Sequence, residues 1–554
     1  MNERLSSVAG LTIGYIPNGP QYADGTSYVE ATETVPAYCQ VTGKYVTNPE
    51  TGKTANFLAT LPENWNGKYL QLGCSGQCGY LFMNNPAVGQ IPISAQGYPG
   101  QLIEKGYAIF GNDLGHVLDS PASNDTTWMI AADGSMDVDA VEDYLYRADE
   151  VMADLGKSFT TELYGSLMDQ SAEIDKAYYS GCSQGGRGAL IAATRFPDKF
   201  DGIIAGSPAQ DLPGLMMQGP ALMSIAQNST VTPISAEQAA NLNAIISEKC
   251  DIADGIKDGL IQNPNACDFD PKEDLPICAE GEEPGSCVTE AQANLLSAFF
   301  SGVTNADGEV KIPGFAINNS NFGFIGPIPA GVPVDTHLRQ ILGDAFAEQS
   351  LFSSAEGGDG QVTNFHAELN EDAYQAYKAI MREGTIEVED FDSLIAQGKK
   401  LIWYHNLADE TLTPNMSINR YKKLAEMNGG YDQLKNTIRL FTVPNTGHCG
   451  LGGDGPGNFD AIGALESWVE ESEAPDQIIA SQLDPAYNNI LWGIVDYSVP
   501  PLRTMPLCTF PQMASYIGSG VINSASNWEC NATDERMLEM GSAGVQAGVY
   551  SSNP

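Results

Sequence analysis

Short apolar runs bounded by Gly, Asn and Pro recur through the amino-terminal part of the chain. Thr54–Leu61, Tyr69–Leu72 and Tyr107–Phe110 therefore read as strands. From Val138 to Leu155 the apolar positions change to helical spacing, with Asp and Glu crowding the start, where a helix dipole favours them. Lys176–Ser180 is a further strand that ends in a glycine-rich turn, Arg187–Arg195 has the composition of a helix, and Ile203–Ala205 is a buried strand closed by Gly206-Ser207-Pro208. Strand, turn, helix and strand in that order predict a parallel sheet with crossover helices, an α/β core.

The pattern stops at about residue 212. Met, Gln, Asn and Pro become frequent, cysteines cluster, and strand-like runs of the earlier kind are missing until Lys400–Tyr404 and Thr437–Val443, which an amphipathic helix at Phe459–Val469 follows. The expected organisation is a core begun by residues 1–211, an inserted domain at 212–398, and the core resumed at 399–554.

Composition narrows the class. The 554 residues are 42% hydrophobic and 18% charged, an ordinary globular balance. No run approaches the roughly 18 apolar residues of a membrane span, and Met1-Asn2-Glu3-Arg4 does not open an apolar signal segment. An exported protein would thus be present as its mature form. Seventy acidic residues against 27 basic ones give a formal charge of −43, which repels nucleic acid and anionic membranes. The 11 cysteines include no zinc-type C-x-x-C pair, and several lie close together, so disulfides in an oxidising compartment are expected, with an odd one left over.

Gly181-Cys182-Ser183-Gln184-Gly185 fits G-x-S-x-G, the tight strand-to-helix elbow that lifts a serine hydroxyl clear of the backbone. The apolar strand before it and the helix after it favour that reading over a glycine turn with an incidental serine. A serine nucleophile needs a base, and five histidines are available. His448 follows a core strand on a loop and comes after the serine; His116 precedes it, His337 and His366 lie in the insertion, and His405 reads as structural or pocket-lining. Asp409, four residues past Tyr404, is the acid that would orient the imidazole, with Glu410 its rival. Cys182 precedes the proposed nucleophile and Cys449 follows the proposed base, so a bond between them would staple two catalytic loops.

The arrangement Cys182-Ser183, Asp409 and His448-Cys449 resembles the tannase and feruloyl esterase family, and similar stretches run through nearly the whole chain, among them Tyr69–Gly79, Asp113–His116, Phe200–Ala209 and Leu507–Pro511. The resemblance implies an α/β-hydrolase core with a large inserted lid. It also implies disulfides Cys182–Cys449, Cys250–Cys267, Cys278–Cys287 and Cys508–Cys530, with Cys39 bonded to Cys74 or Cys78. One oxyanion donor is expected from the backbone N–H of Gln184, the residue after the nucleophile. The other is assigned to Gly76 in Gly73-Cys74-Ser75-Gly76, which resembles the family's glycine-rich oxyanion loop.

Asp251, Asp254 and Asp258 fall within eight residues, and carbonyls of Ile256 and Leu260 lie at hand, a set of hard oxygens suited to calcium. From composition alone a solvated acidic turn explains them equally well; the resemblance implies a structural Ca2+ loop in the lid, far from the chemistry. The function implied is a secreted or periplasmic serine carboxylic ester hydrolase acting on small aromatic acyl esters of feruloyl, galloyl or terephthaloyl type. Phe315, Phe322, Phe324 and Trp403 are candidate pocket walls, and Arg339 is a cation available to a substrate carboxylate. The alternatives are an esterase for non-aromatic esters, a non-catalytic ligand-binding protein on the same scaffold, and a thiol enzyme using Cys182.

Overall fold

The computed structural model describes residues 11–13, 25–32, 35–81, 101–118, 127–133, 135–168, 171–212, 214–215, 234–282, 285–304, 310–318, 382–487 and 498–532. Eight strands come first: β1 Leu11–Ile13, β2 Thr26–Val29, β3 Tyr38–Asn48, β4 Lys53–Pro62, β5 Lys68–Leu72, β6 Ala108–Asn112, β7 Lys176–Cys182 and β8 Gly202–Gly206. A small ribbon, β9 Gly302–Thr304 and β10 Val310–Pro313, precedes β11 Lys400–Asn406 and β12 Ile438–Val443. The main sheet runs β1-β3-β4-β6-β5-β7-β8-β11-β12, with β2 also paired to β3. From β6 to β12 all neighbours are parallel, and β4 joins this block antiparallel to β6. Every strand expected from the apolar runs is present; β3, the longest, was not singled out, because it mixes polar and apolar residues and owes its burial to β4.

Alternation along each parallel strand divides its side chains between two cores, as a two-residue repeat requires. Tyr69, Tyr179, Ile203, Leu401 and Trp403 enter one core, which the helices Ala148–Met168 and Gln184–Arg195 cover. Leu70, Tyr178, Ile204, Ile402 and Tyr404 enter the other, with Ile462, Leu465 and Trp468 from the segment Ala461–Glu471. Trp403 is fully buried and stacks on Phe391, so it belongs to the core and not to a pocket wall.

Residues 234–318 form a cluster of their own. Capping boxes, Ser235 with Gln238 and Thr289 with Gln292, start the helices Ala236–Cys250 and Glu290–Ser301. These bury Leu242, Ile246, Leu296, Phe299 and Phe300 together with Phe269 and Phe315. Phe315 lies flat on Phe299 at 4.1 Å and is core, not pocket. Phe322, Phe324, His337, Arg339 and His366 lie outside the described residues.

The carboxy-terminal strands β13 Asn458–Phe459, β14 Gln477–Gln482, β15 Arg503–Cys508, β16 Gln512–Tyr516 and β17 Trp528–Ala532 make two small sheets. Met505, Cys508 and Trp528 from them pack with Leu260 of the acidic loop.

Five disulfides form. Cys182–Cys449, Cys250–Cys267, Cys278–Cys287 and Cys508–Cys530 are the pairs expected. Cys39 is a correction: Cys74 bonds Cys78 across a tight turn, and Cys39, on β3 opposite Leu61, is left as the free thiol. Four residues of separation bring the Cys74 and Cys78 Cα atoms to 5.4 Å, so the two satisfy each other locally.

Candidate active site

The chain leaves β5 for β6 on one side and returns to β7 on the other, so the strand order reverses at the carboxyl ends of β5 and β7, the point where open α/β sheets bind ligands. Ser183 stands there, one residue past β7, at φ 63° and ψ −124°. A non-glycine residue holds that strained conformation only when its surroundings fix it. Three backbone bonds do so: the Ser183 N–H donates to the Gly206 carbonyl at 3.0 Å, and the Ser183 carbonyl accepts from the N–H groups of Arg187 at 3.0 Å and Ala209 at 3.1 Å. The Arg187 guanidinium, itself buried, donates to the carbonyls of Tyr144 and Leu145 and to the Gln184 side chain, anchoring the first turn of the following helix.

Gln184 opens that helix, so its N–H has no carbonyl four residues back to bond. The turn after β5 lies directly against it. A Cβ on Gly185 would come within 2.8 Å of the Cys74 carbonyl oxygen, so only glycine lets the two backbones meet. Gly76 sits at φ 62° on the exposed tip of this turn, which the Cys74–Cys78 bond closes.

His116 holds the turn from behind. Its Nε2 pairs with the Gln77 carbonyl at 2.9 Å, and its ring stacks on Trp128 at 3.8 Å. Burial pushes its pKa down to about 4, so the neutral ring donates through Nε2. The Gly79 N–H donates to the Asp113 carbonyl, and the Leu118 N–H to the Gly79 carbonyl. His116 was set aside on chain order, and the Asp113–His116 stretch within the resemblance is the signal that marks it.

Asp409 follows β11 and is 2% exposed. One carboxylate oxygen accepts the Thr411 and Leu412 N–H groups at 2.9 and 2.8 Å; the other accepts His448 Nδ1 at 2.7 Å. Burial would raise this carboxyl, but the charge and hydrogen bond of His448, with His405, hold it well below the usual carboxylate range. Burial opposes charge on His448, and Asp409 overcomes it, so the imidazole pKa is raised. With Nδ1–H given to Asp409, Nε2 is the unprotonated, basic nitrogen, and it lies 3.5 Å from the Cys449 sulfur. His405 is structural: fully buried, it bonds the Ser417 hydroxyl at 2.6 Å and the Leu412 carbonyl at 2.9 Å, bracing the Asp409 loop.

Glu410 is not the partner of the histidine. Burial raises its pKa to about 7, with the Asp409 charge adding to the effect, and its Oε2 is buried without a hydrogen bond. The Cys182–Cys449 bond spans 267 residues with its Cα atoms 6.1 Å apart, joining the residue before Ser183 to the residue after His448. Both of these cysteines are thereby tied up, which removes the thiol-enzyme alternative.

In the acidic loop, Asp251 accepts the N–H groups of Asp258 and Gly259, Asp254 accepts that of Ile256, and Asp258 accepts that of Leu260 and an ion pair from Arg503 at 2.9 Å. Burial raises the pKa of Asp254 to about 7, with the Asp258 charge contributing, and raises that of Asp258 against the pull of Arg503. Buried, mutually repelling carboxylates of this kind are suitable donors for a hard cation. Among the described residues no three acid, His or Cys side chains converge on one point by themselves, so carbonyl oxygens such as those of Ile256 and Leu260 would have to complete a shell.

Residues 39–531 match the family model for tannase and feruloyl esterase. A probable feruloyl esterase of Arthroderma benhamiae is 28% identical over 472 residues, 85% of this chain and 81% of that protein. The mono(2-hydroxyethyl) terephthalate hydrolase of Piscinibacter sakaiensis is 25% identical over 557 residues, 92% of this chain and 87% of that one. The crystal structure of feruloyl esterase B from Aspergillus oryzae superposes with a TM-score of 0.74 at 21% identity, over 96% of this chain and 100% of that one, which shows the fold. The sheet and this match agree: the chain is a carboxylic ester hydrolase with an α/β-hydrolase fold, and it belongs to the tannase and feruloyl esterase family.

Proposed function

We propose that this enzyme hydrolyses esters of aromatic acids by two-step acyl transfer on Ser183. The observation that carries the reading is the 2.7 Å bond from His448 Nδ1 to the buried Asp409, on a loop stapled to the Ser183 elbow. His448 Nε2 takes the Ser183 proton as the hydroxyl oxygen attacks the ester carbonyl, and returns it to the departing alcohol. Water, deprotonated by the same nitrogen, then releases the acid and restores the serine. Asp409 keeps Nδ1 protonated and stabilises the imidazolium formed in both steps. Negative charge on the tetrahedral oxygen falls to the N–H of Gln184 and to the turn after β5, with Gly76 as the assigned donor.

The aromatic acyl group is inferred from the relatives, whose names specify feruloyl esters and a terephthalate monoester. Five disulfides support an oxidising, extracellular or periplasmic setting. In the acidic loop Asp251, Asp254 and Asp258, with the carbonyls of Ile256 and Leu260, would hold Ca2+, whose contribution would be to neutralise carboxylate charge that Arg503 offsets only at Asp258.

The test is a panel of methyl gallate, methyl ferulate and mono(2-hydroxyethyl) terephthalate with wild type and Ser183→Ala. Cleavage of at least one ester by wild type and none by the variant is expected. Cleavage of p-nitrophenyl acetate alone contradicts the aromatic acyl assignment, and turnover by Ser183→Ala contradicts the mechanism.

A further inference from the structure

Buried polar contacts join the segment 234–318 to both loops that carry the proposed base and acid. Asn445, three residues before His448, is fully buried at φ 49°. Its side-chain oxygen accepts the Ile261 N–H at 2.8 Å, and its side-chain nitrogen donates to the Gly259 carbonyl at 2.8 Å and to the Asp454 carboxylate at 3.0 Å. Only a carboxamide of this length offers a donor and an acceptor to one stretch of backbone at once, and Asn also tolerates the left-handed conformation.

On the acid side, the Thr413 hydroxyl and the Asn415 amide both donate to the Gly314 carbonyl, at 2.7 and 2.9 Å. Gly314 itself packs against the end of the helix Glu290–Ser301, where a Cβ would overlap the Phe300 carbonyl at 1.9 Å. The two attachment points are tied to each other as well, since the Asn318 amide donates to the Ile261 carbonyl at 3.0 Å. At these residues the inserted segment is built into the catalytic loops.

We propose that Asn445 is a positioning residue for His448, through which the docked segment 259–261 holds the base in register with Ser183 and Asp409. The inference rests on His448 being the base. Asn445 continues into Thr446, whose carbonyl accepts the Ala408 N–H at 3.0 Å and whose hydroxyl accepts from Asn406 at 2.7 Å, so a shift at Asn445 reaches the Asp409 loop as well as His448. Removing the side chain gives the carbonyl of the exposed Gly259 to water but leaves the N–H of the buried Ile261 unpaired, a state the loop relieves by moving.

The experiment compares wild type, Asn445→Gly, which keeps the left-handed backbone, and Asn445→Ser, which is too short for both contacts. It measures kcat and KM for p-nitrophenyl acetate, the rate of labelling by a serine-directed phosphonate, Tm, and the Cys182–Cys449 bond by non-reducing peptide mapping. The expected result is an intact disulfide, a kcat lower by about 10- to 100-fold, KM within about twofold, and labelling slowed by the same factor, since a small displacement of a catalytic group costs that much. Turnover and labelling within about twofold of wild type overturn the inference whatever happens to Tm, as does a loss confined to KM. If Asn445→Gly does not fold, Asn445→Ser is read by the same criteria. Ser183→Ala separates the two levels: if it is dead while the Asn445 variants turn over normally, only the positioning role fails; if it remains active, the triad reading fails first.

Discussion

Ser183 and His448, tied together by the bond between Cys182 and Cys449, are positioned by opposite constructions. The serine is set by backbone: a strained residue between a strand and a helix, fixed by carbonyls and N–H groups of Gly206, Arg187 and Ala209. The histidine is set by side chains from distant parts of the chain: Asp409 on its ring, Cys182 on its neighbour, and Asn445 bridging to Gly259 and Ile261. A backbone elbow is specified by its own few residues and tolerates little change, whereas a side-chain-held loop can be loosened by degrees. Substitutions should therefore be all-or-none at the serine and graded around the histidine.

The largest effect is expected at the elbow itself, where Ser183→Ala should lower kcat by roughly 10⁵- to 10⁶-fold without loss of fold, read by ester turnover and calorimetry. Asp409→Asn should come next, with a fall of about 10⁴-fold in kcat, because an amide there no longer enforces the tautomer that frees Nε2. Phosphonate labelling abolished in Ser183→Ala but only slowed in Asp409→Asn would sharpen the comparison; an Asp409→Asn enzyme of normal rate would break it.

Replacing both Cys182 and Cys449 by Ser should lower stability by about 2–5 kcal/mol, measured by denaturant unfolding, and slow turnover far less than Ser183→Ala does. The smallest effect concerns pH. The proposed mechanism requires neutral His448, whose pKa lies above the usual imidazole value, so kcat/KM should rise with pH through an inflection above about 6.5. The negative charge of Glu410 favours the imidazolium, so Glu410→Gln should move that limb to lower pH by a fraction of a unit; a shift to higher pH would contradict the assignment.

The same contrast explains what the sequence disclosed. The elbow was readable because its strand, glycines and helix are contiguous, and the short apolar runs of β5, β7, β8 and β11, buried on both faces, carry their own signal. His448 and Asp409 were reachable through chain order, but order alone left Glu410 as a rival; the choice depends on which carboxylate meets Nδ1, a fact of three-dimensional packing. Cys39 was misassigned because its bond to Cys74 or Cys78 was carried over from the resemblance, whereas Cys74 and Cys78, four residues apart, bond each other. The contacts of His116 and Asn445 could not be read, although the resemblance marked the stretch holding His116: they reach backbone groups 39 and 186 residues away respectively, and a carbonyl leaves no mark in a sequence. The acidic loop was expected far from the chemistry, yet its end, Gly259–Ile261, is bonded to the loop of the histidine.

The most direct test of the account labels the intact enzyme with a serine-directed phosphonate and maps the adduct by peptide mass spectrometry in wild type, Ser183→Ala and His448→Ala. The account predicts a single adduct on Ser183, none in Ser183→Ala, and labelling slowed by orders of magnitude in His448→Ala. An adduct on another residue, or labelling of His448→Ala at the wild-type rate, would contradict it.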